Sequence, residues 1–154
     1  MKQFFCVAAI LVSLVSVARA TEVNVCKSGL PLPYAVTVKD CDKGPCSFPR
    51  DSLVVWNITF DAPHDLDTFE PKVLATALGL DIDYPLNESE GCKELVDDEC
   101  PLEEGQRVIY ATTMEIKKSF PTINVGIEMT LYTPDEDGNS VGFTCFQIDC
   151  KVTE

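Results

Sequence analysis

Residues 107–131, RVIYATTMEIKKSFPTINVGIEMTL, decide the fold. They form two alternating runs joined by a turn at residues 117–121. In the first run Val108, Tyr110, Met114 and Ile116 share one parity, and Thr112 is the single polar residue among them. In the second, Ile123, Val125, Ile127, Met129 and Leu131 share one parity without interruption. Period two with one apolar side is the pattern of a strand that buries one face. Together the runs predict a β-hairpin with an apolar inner wall. The rest of the chain is then expected to build the opposite wall, with an apolar ligand between the two.

Further strands flank this stretch. Residues 53–61 alternate strictly, with Val54, Trp56, Ile58 and Phe60 on one face. Residues 34–39 predict a strand with Tyr34, Val36 and Val38 inward, and residues 141–152 predict the last strand. Residues 73–84 read as one strand, with Leu74, Leu78, Leu80, Ile82 and Tyr84 in phase and Ala75, Ala77 and Gly79 opposite. Residues 41–50, 62–71 and 87–105 read as loops, the middle one polar and the last too acidic to pack. Short strands at this spacing, with turn signals between them and no sustained helical period, predict an all-β sandwich of about seven strands in two sheets.

The chain opens with Lys2, an apolar run over residues 4–17 and a small-residue pattern at Ala18-Arg19-Ala20. That is the form of a secretory signal peptide over residues 1–20, leaving residues 21–154 as one domain. Removing Lys2 and Arg19 takes the formal charge from −13 to about −15. So acidic a surface repels polyanions, which excludes nucleic acid as a partner.

Seven cysteines remain after the expected cleavage: Cys26, Cys41, Cys46, Cys92, Cys100, Cys145 and Cys150. In a secreted chain they read as disulfides rather than metal ligands. Cys41 with Cys46 and Cys92 with Cys100 are local pairs, and Cys26 joins Cys145 or Cys150. Closing a loop of more than a hundred residues contributes about 4–5 kcal/mol in the chain-entropy account. Two sequons, Asn57-Ile58-Thr59 and Asn87-Glu88-Ser89, mark candidate glycosylation sites, and strand parity puts Asn57 on the face away from the aromatic residues.

Residue types that do chemistry are sparse. His64, the only histidine, stands alone between Pro63 and Asp65, away from any nucleophile pattern. No Cys-x-x-Cys occurs. Residues 135–139, DEDGN, lack the spacing of a calcium loop and read as a hairpin turn. Asp61, Asp65 and Asp67 match no ligand pattern. The expectation is a protein that is not an enzyme and carries no metal or cofactor. Alternation alone favours a filled sandwich, although splayed sheets would line a slot with the same faces.

Several segments resemble the ML lipid-recognition family, particularly its Niemann-Pick type C2 branch and the group 2 mite allergens. They are Asp40-Cys41 through Gly44-Pro45-Cys46, the Asn57-Ile58-Thr59-Phe60 strand, Gly91-Cys92 with Cys100-Pro101, the Lys117-x-x-Phe120-Pro121 turn, and Cys145-Phe146-Gln147-Ile148. The likeness runs over residues 23–152. It implies an immunoglobulin-like β-sandwich whose sheets part to hold a sterol, fatty acid or other lipid, and the pairings Cys26–Cys145, Cys41–Cys46 and Cys92–Cys100. It places a pocket mouth at Tyr84, Ile116, Phe120 and Pro121, with Phe146, Tyr110 and Met129 as further wall residues. Relative to that pattern, Tyr84 and Phe120 exchange the usual Phe and Tyr. Phe146 and Met129 stand where sterol carriers usually have an aromatic, often Trp, and Cys150 has no partner. The resemblance implies a secreted or lysosomal monomer that exchanges lipid with a membrane or a membrane receptor. Its rivals are an accessory protein recognising bacterial lipid and an adhesion sandwich without ligand.

Overall fold

The computed structural model describes residues 19–154, so the expected signal peptide lies outside the described residues except for Arg19 and Ala20. Nine strands follow in order: β1 (Ala35–Val38), β2 (Cys46–Pro49), β3 (Ser52–Asp61), β4 (Glu70–Ala77), β5 (Leu80–Tyr84), β6 (Leu95–Val96), β7 (Arg107–Ile116), β8 (Asn124–Pro134) and β9 (Ser140–Thr153). A single 3₁₀ turn, Gly91–Glu94, precedes β6. One sheet has the order β1-β3-β7-β6 and the other β2-β9-β8-β4-β5. The expected all-β sandwich is present, with nine strands instead of about seven. The extra ones lie in segments read as loops or as single strands.

The two runs that open the sequence argument are not a hairpin. β7 pairs with β3 over ten residues and with β6 at its start, whereas β8 pairs with β4 and β9. The connection from Lys117 to Ile123 crosses from one sheet to the other. It is too long for a two-residue hairpin turn, and it carries Pro121, which cannot donate to a ladder. The two apolar faces therefore oppose each other across the core. They are the two walls, and the chain between them makes the lip.

Residues 73–84 are also not one strand. Leu78 and Gly79 both have positive φ, at 53° and 77°, and form a two-residue turn between β4 and β5. Positive φ at both central positions is what such a turn requires, and glycine meets it without cost. The turn reverses the parity, so Ala75 lies opposite Ile82 and Ala77 opposite Leu80. Small and large residues read as opposite faces are in fact one face. Leu74 points the other way, opposite Asp83 and Glu128.

The loops contribute to the core as well. Leu66 and Phe69, from the segment read as polar, are buried, and Leu66 exchanges backbone hydrogen bonds of 2.9 and 2.8 Å with buried Leu102 of the acidic loop. β6, from that same acidic loop, pairs with β7 at Tyr110 and Ile109. β2, read as loop, runs parallel to β9. Tyr34, expected inward, precedes β1 and is exposed, with its ring 3.4 Å beneath the Arg107 guanidinium. Disulfides join Cys26–Cys145, Cys41–Cys46 and Cys92–Cys100. Among the described residues Cys150 is the free cysteine; it is buried beside Cys46 on the neighbouring strand, and burial pushes its thiol up to about 12.

Candidate functional site

Aromatic packing fills one half of the sandwich, while Phe48, Tyr84 and Phe120 reach the other. Phe60, Phe69 and Tyr110 meet edge to face, with Phe69 5.3 Å from Phe60 and 5.6 Å from Tyr110. Trp56 joins Phe48 at 5.8 Å and Phe146 at 6.1 Å. These spacings are those of filled aromatic packing. At the other end, beside the 117–123 crossover, the same two sheets enclose a cavity of about 470 Å³. That falls in the range of small-molecule sites.

Each sheet contributes its inward parity to this cavity. Met114 and Ile116 of β7 face Val125 and Ile127 of β8, while Phe48 and Val152 close the floor. On the side of β4 and β5 the wall is Ala75, Ala77, Ile82 and Tyr84. The alanines matter because they leave unfilled the depth that large side chains would take. Phe120 and Pro121 of the crossover form the lip, with Asp83, Asn87, Glu115 and Lys117 around the rim. The wall itself offers neither a nucleophile nor a charged pair.

One polar contact joins the sheets at this end. The Tyr84 hydroxyl donates to the Glu115 carbonyl at 2.8 Å and accepts from the Glu115 N–H at 3.1 Å. Burial holds the phenol above its ordinary range, offset in part by the Glu115 backbone bond.

Of the residues anticipated at the site, Tyr84, Ile116, Phe120 and Pro121 come together around the cavity. Tyr110, Met129 and Phe146 do not line it. They share its parity but sit deeper, where Phe69 and Trp56 fill the space around Tyr110 and Phe146. Met114, Val125 and Ile127 line it from the inner wall that alternation anticipated, whereas Ala75 and Ala77 were not anticipated as lining. Gly79 after Leu78, read as a turn, would have revealed the alanines. Asn57 is half-buried on the outer face of β3, and Asn87 is exposed at the rim.

Most of the polar groups weighed for catalysis or metal binding have other partners. His64 is exposed, with Nδ1 2.7 Å from the Asp65 carbonyl. Asp61 pairs with Arg107, and Asp65 accepts from the Glu104 N–H at 2.9 Å. Asp135 accepts the Asp137 and Asn139 N–H groups at 3.0 and 2.7 Å, which makes residues 135–139 a self-bonded turn. Cys26, Glu128 and Cys145 lie close together, but both sulfurs are in one disulfide.

A disulfide-stapled β-sandwich with an apolar cavity at one end is a ligand-holding module. A family model described as the ML domain matches residues 20–152, and the chain belongs to that family. ML-domain proteins of this kind are lipid-binding and non-enzymatic, and the chain is not an enzyme. It is 28% identical over 152 residues to the NPC intracellular cholesterol transporter 2 of Bos taurus, covering 97% of this chain and 98% of that one. It is equally 28% identical over 144 residues to the Drosophila melanogaster NPC intracellular cholesterol transporter 2 homolog a, covering 91% and 93%. The mite group 2 allergen Tyr p 2 of Tyrophagus putrescentiae is 28% identical over 120 residues, covering 78% and 83%. A crystal structure of a Niemann-Pick type C2 protein from the Japanese carpenter ant shares the fold, with a TM-score of 0.69 at 22% identity, covering 86% of this chain and 99% of that one.

Proposed function

We propose that the protein is a secreted or lysosomal lipid carrier, a monomer that holds one sterol, fatty acid or similar apolar molecule between its sheets. The observation that carries this reading is the cavity of about 470 Å³ between the sheets, lined mostly by apolar side chains. Tyr84, Ile116, Phe120 and Pro121 are its ligand-contacting lip. Binding draws on desolvation: about 300 Å² of buried ligand surface is worth roughly 7–8 kcal/mol at 25 cal/mol/Å², before ordering costs.

The carrier gives up its ligand to a membrane or to a membrane receptor. Leu78 and Leu80, exposed at the β4–β5 turn beside the cavity, offer apolar contact, and Lys117 and Lys118 offer charge to a lipid phosphate. Asp83 and Glu115 on the rim oppose an anionic ligand, which disfavours recognition of bacterial lipid A as the role. The cavity disfavours an adhesion sandwich without ligand. Glycans are proposed at Asn57 and Asn87, the second at the rim.

Native mass spectrometry with lipid extraction of the secreted protein tests the reading. The expected result is one retained lipid per chain. Protein that neither retains nor takes up sterol or fatty acid overturns it. Phe120→Asp is expected to abolish uptake with all three disulfides intact, and unchanged uptake removes Phe120 from the lip.

A further inference from the structure

The two sheets end in unpaired edges on the same flank of the sandwich. β5 pairs with β4 alone, and β7, fully paired with β3 on one side, is covered on the other only at Tyr110 and Ile109 by β6. Beyond that point the outer edge of β7 has no partner strand. An exposed strand edge normally leaves its N–H and C=O groups to water or to another chain. At Glu115 both groups are instead taken by one side-chain oxygen, the Tyr84 hydroxyl from the last residue of β5. A phenol can do this because it both donates and accepts. No other hydrogen bond among the described residues joins β5 to β7. Pro85 directly follows and fixes the exit of the chain at this point.

The same tyrosine lines the cavity, so the bond that joins the sheets also spans the flank of the mouth. Its placement defines how it opens. Glu115 is exposed, so water can replace the phenol at both backbone groups as soon as the sheets part. A hydrogen bond exchanged for water in this way costs little net free energy. The contact is therefore strong enough to keep the mouth shut most of the time and weak enough to break on each passage. A covalent or buried ionic link would not serve both ends. The ring alone supplies wall, and only the hydroxyl supplies closure.

We propose that Tyr84 is a reversible clasp between the two sheets, which sets how fast ligands pass the mouth and how bulky they can be. The proposal rests on the carrier reading for its function, while the clasp itself can be tested without ligand. Tyr84 is a positioning residue here: it acts on β7, and through β7 on the gap that admits the ligand. Tyr84→Phe keeps the ring and the wall and removes the hydroxyl. It is expected to raise both uptake and release of dehydroergosterol, delivered from phosphatidylcholine vesicles, by about five- to tenfold. The affinity should change far less, because the clasp closes over free and loaded protein alike. Slender cis-parinaric acid should gain less than the sterol.

The ligand-independent measurement is amide hydrogen exchange at Glu115 in the empty protein. Protection in the wild type and its loss in Tyr84→Phe, with unchanged protection in β3, is the expected result. Equal exchange at Glu115 in the two proteins overturns the clasp, whatever the lipid assays give. Altered Glu115 exchange with unchanged sterol rates overturns its gating role. Wild-type protein that takes up neither probe while Glu115 stays protected overturns the carrier reading, and the gating role with it.

Discussion

The two halves of this sandwich are built from the same strands and differ in what stands on their inner faces. Toward one end β3, β7 and the segment before β4 bring Phe60, Tyr110 and Phe69 into edge-to-face contact. Toward the other, β4 and β7 bring Ala75, Ala77, Met114 and Ile116 around open space. Both sets of inward residues continue the same apolar parity, so the hydrophobic pattern does not separate them. Side-chain volume does. The filled half holds the sheets at fixed separation, and the hollow half inherits that separation with too little side chain to fill it. Dense packing and open volume are thus assigned to different ends of continuous strands.

A deletion in the filled half and an insertion in the hollow half should have opposite signatures. Phe69→Ala removes a ring packed against three others, Phe60, Tyr110 and Phe143, and leaves a cavity that its neighbours fill only in part. It is expected to cost about 3–5 kcal/mol in urea unfolding. Ala75→Phe places a ring where the cavity lies. It should lower dehydroergosterol affinity about a hundredfold, or roughly 2.7 kcal/mol, with the thermal midpoint unchanged or raised. Normal sterol affinity in Ala75→Phe would show that the hollow half is not where the ligand sits.

The third test sharpens why the filled half is full. Gly91 approaches Phe69 so closely that a Cβ would lie 2.1 Å from its ring. Because the ring is wedged between Phe60 and Tyr110, it cannot yield. Gly91→Ala should therefore destabilise by about 1–3 kcal/mol. The double variant with Phe69→Leu should cost less than the sum of the two single changes, since the contact that clashes is gone. Strict additivity would mean that Gly91 matters for its own backbone and not for Phe69.

Gly91 and Phe69 also mark where sequence reading stops. The faces of β3, β7 and β8 were legible, because each is a long strand with one buried parity. Alternation names the buried face of a strand but not its partner, so β7 and β8 looked like a hairpin when they are opposing walls. The turn at Leu78-Gly79 was hidden for a related reason: alternation runs straight through a two-residue turn, and only the strand direction changes. Leu66 and Phe69 carried no signal because single apolar residues among Pro and Asp have no period. Tyr84, Ile116, Phe120 and Pro121, which line the cavity, came from family likeness. The same likeness set Tyr110, Met129 and Phe146 beside them, since it transfers position along a strand but not the volume already occupied there.

The smallest expected effect separates how the two ends are closed. At the filled end Asp61 accepts 2.7 and 2.9 Å hydrogen bonds from Arg107, whose guanidinium also covers Tyr34. Bonding to Arg107 holds the Asp61 carboxyl below its ordinary 3.8. Native protein then binds fewer protons than unfolded protein near that pH, so the contribution is present at neutrality and lost as pH falls through the depressed value. The pair is exposed and screened, so the effect is slight. The Tyr84 clasp at the hollow end is made of groups that stay neutral across the same range. Thermal midpoints of wild type and Asp61→Asn should therefore differ slightly at about pH 7, keep that gap to about pH 5, and converge below about pH 4. Dehydroergosterol exchange should not differ between the two proteins at any of these pH values. A gap that persists in acid would mean that Asp61 acts through packing and not through its charge, and that both ends are closed without electrostatics.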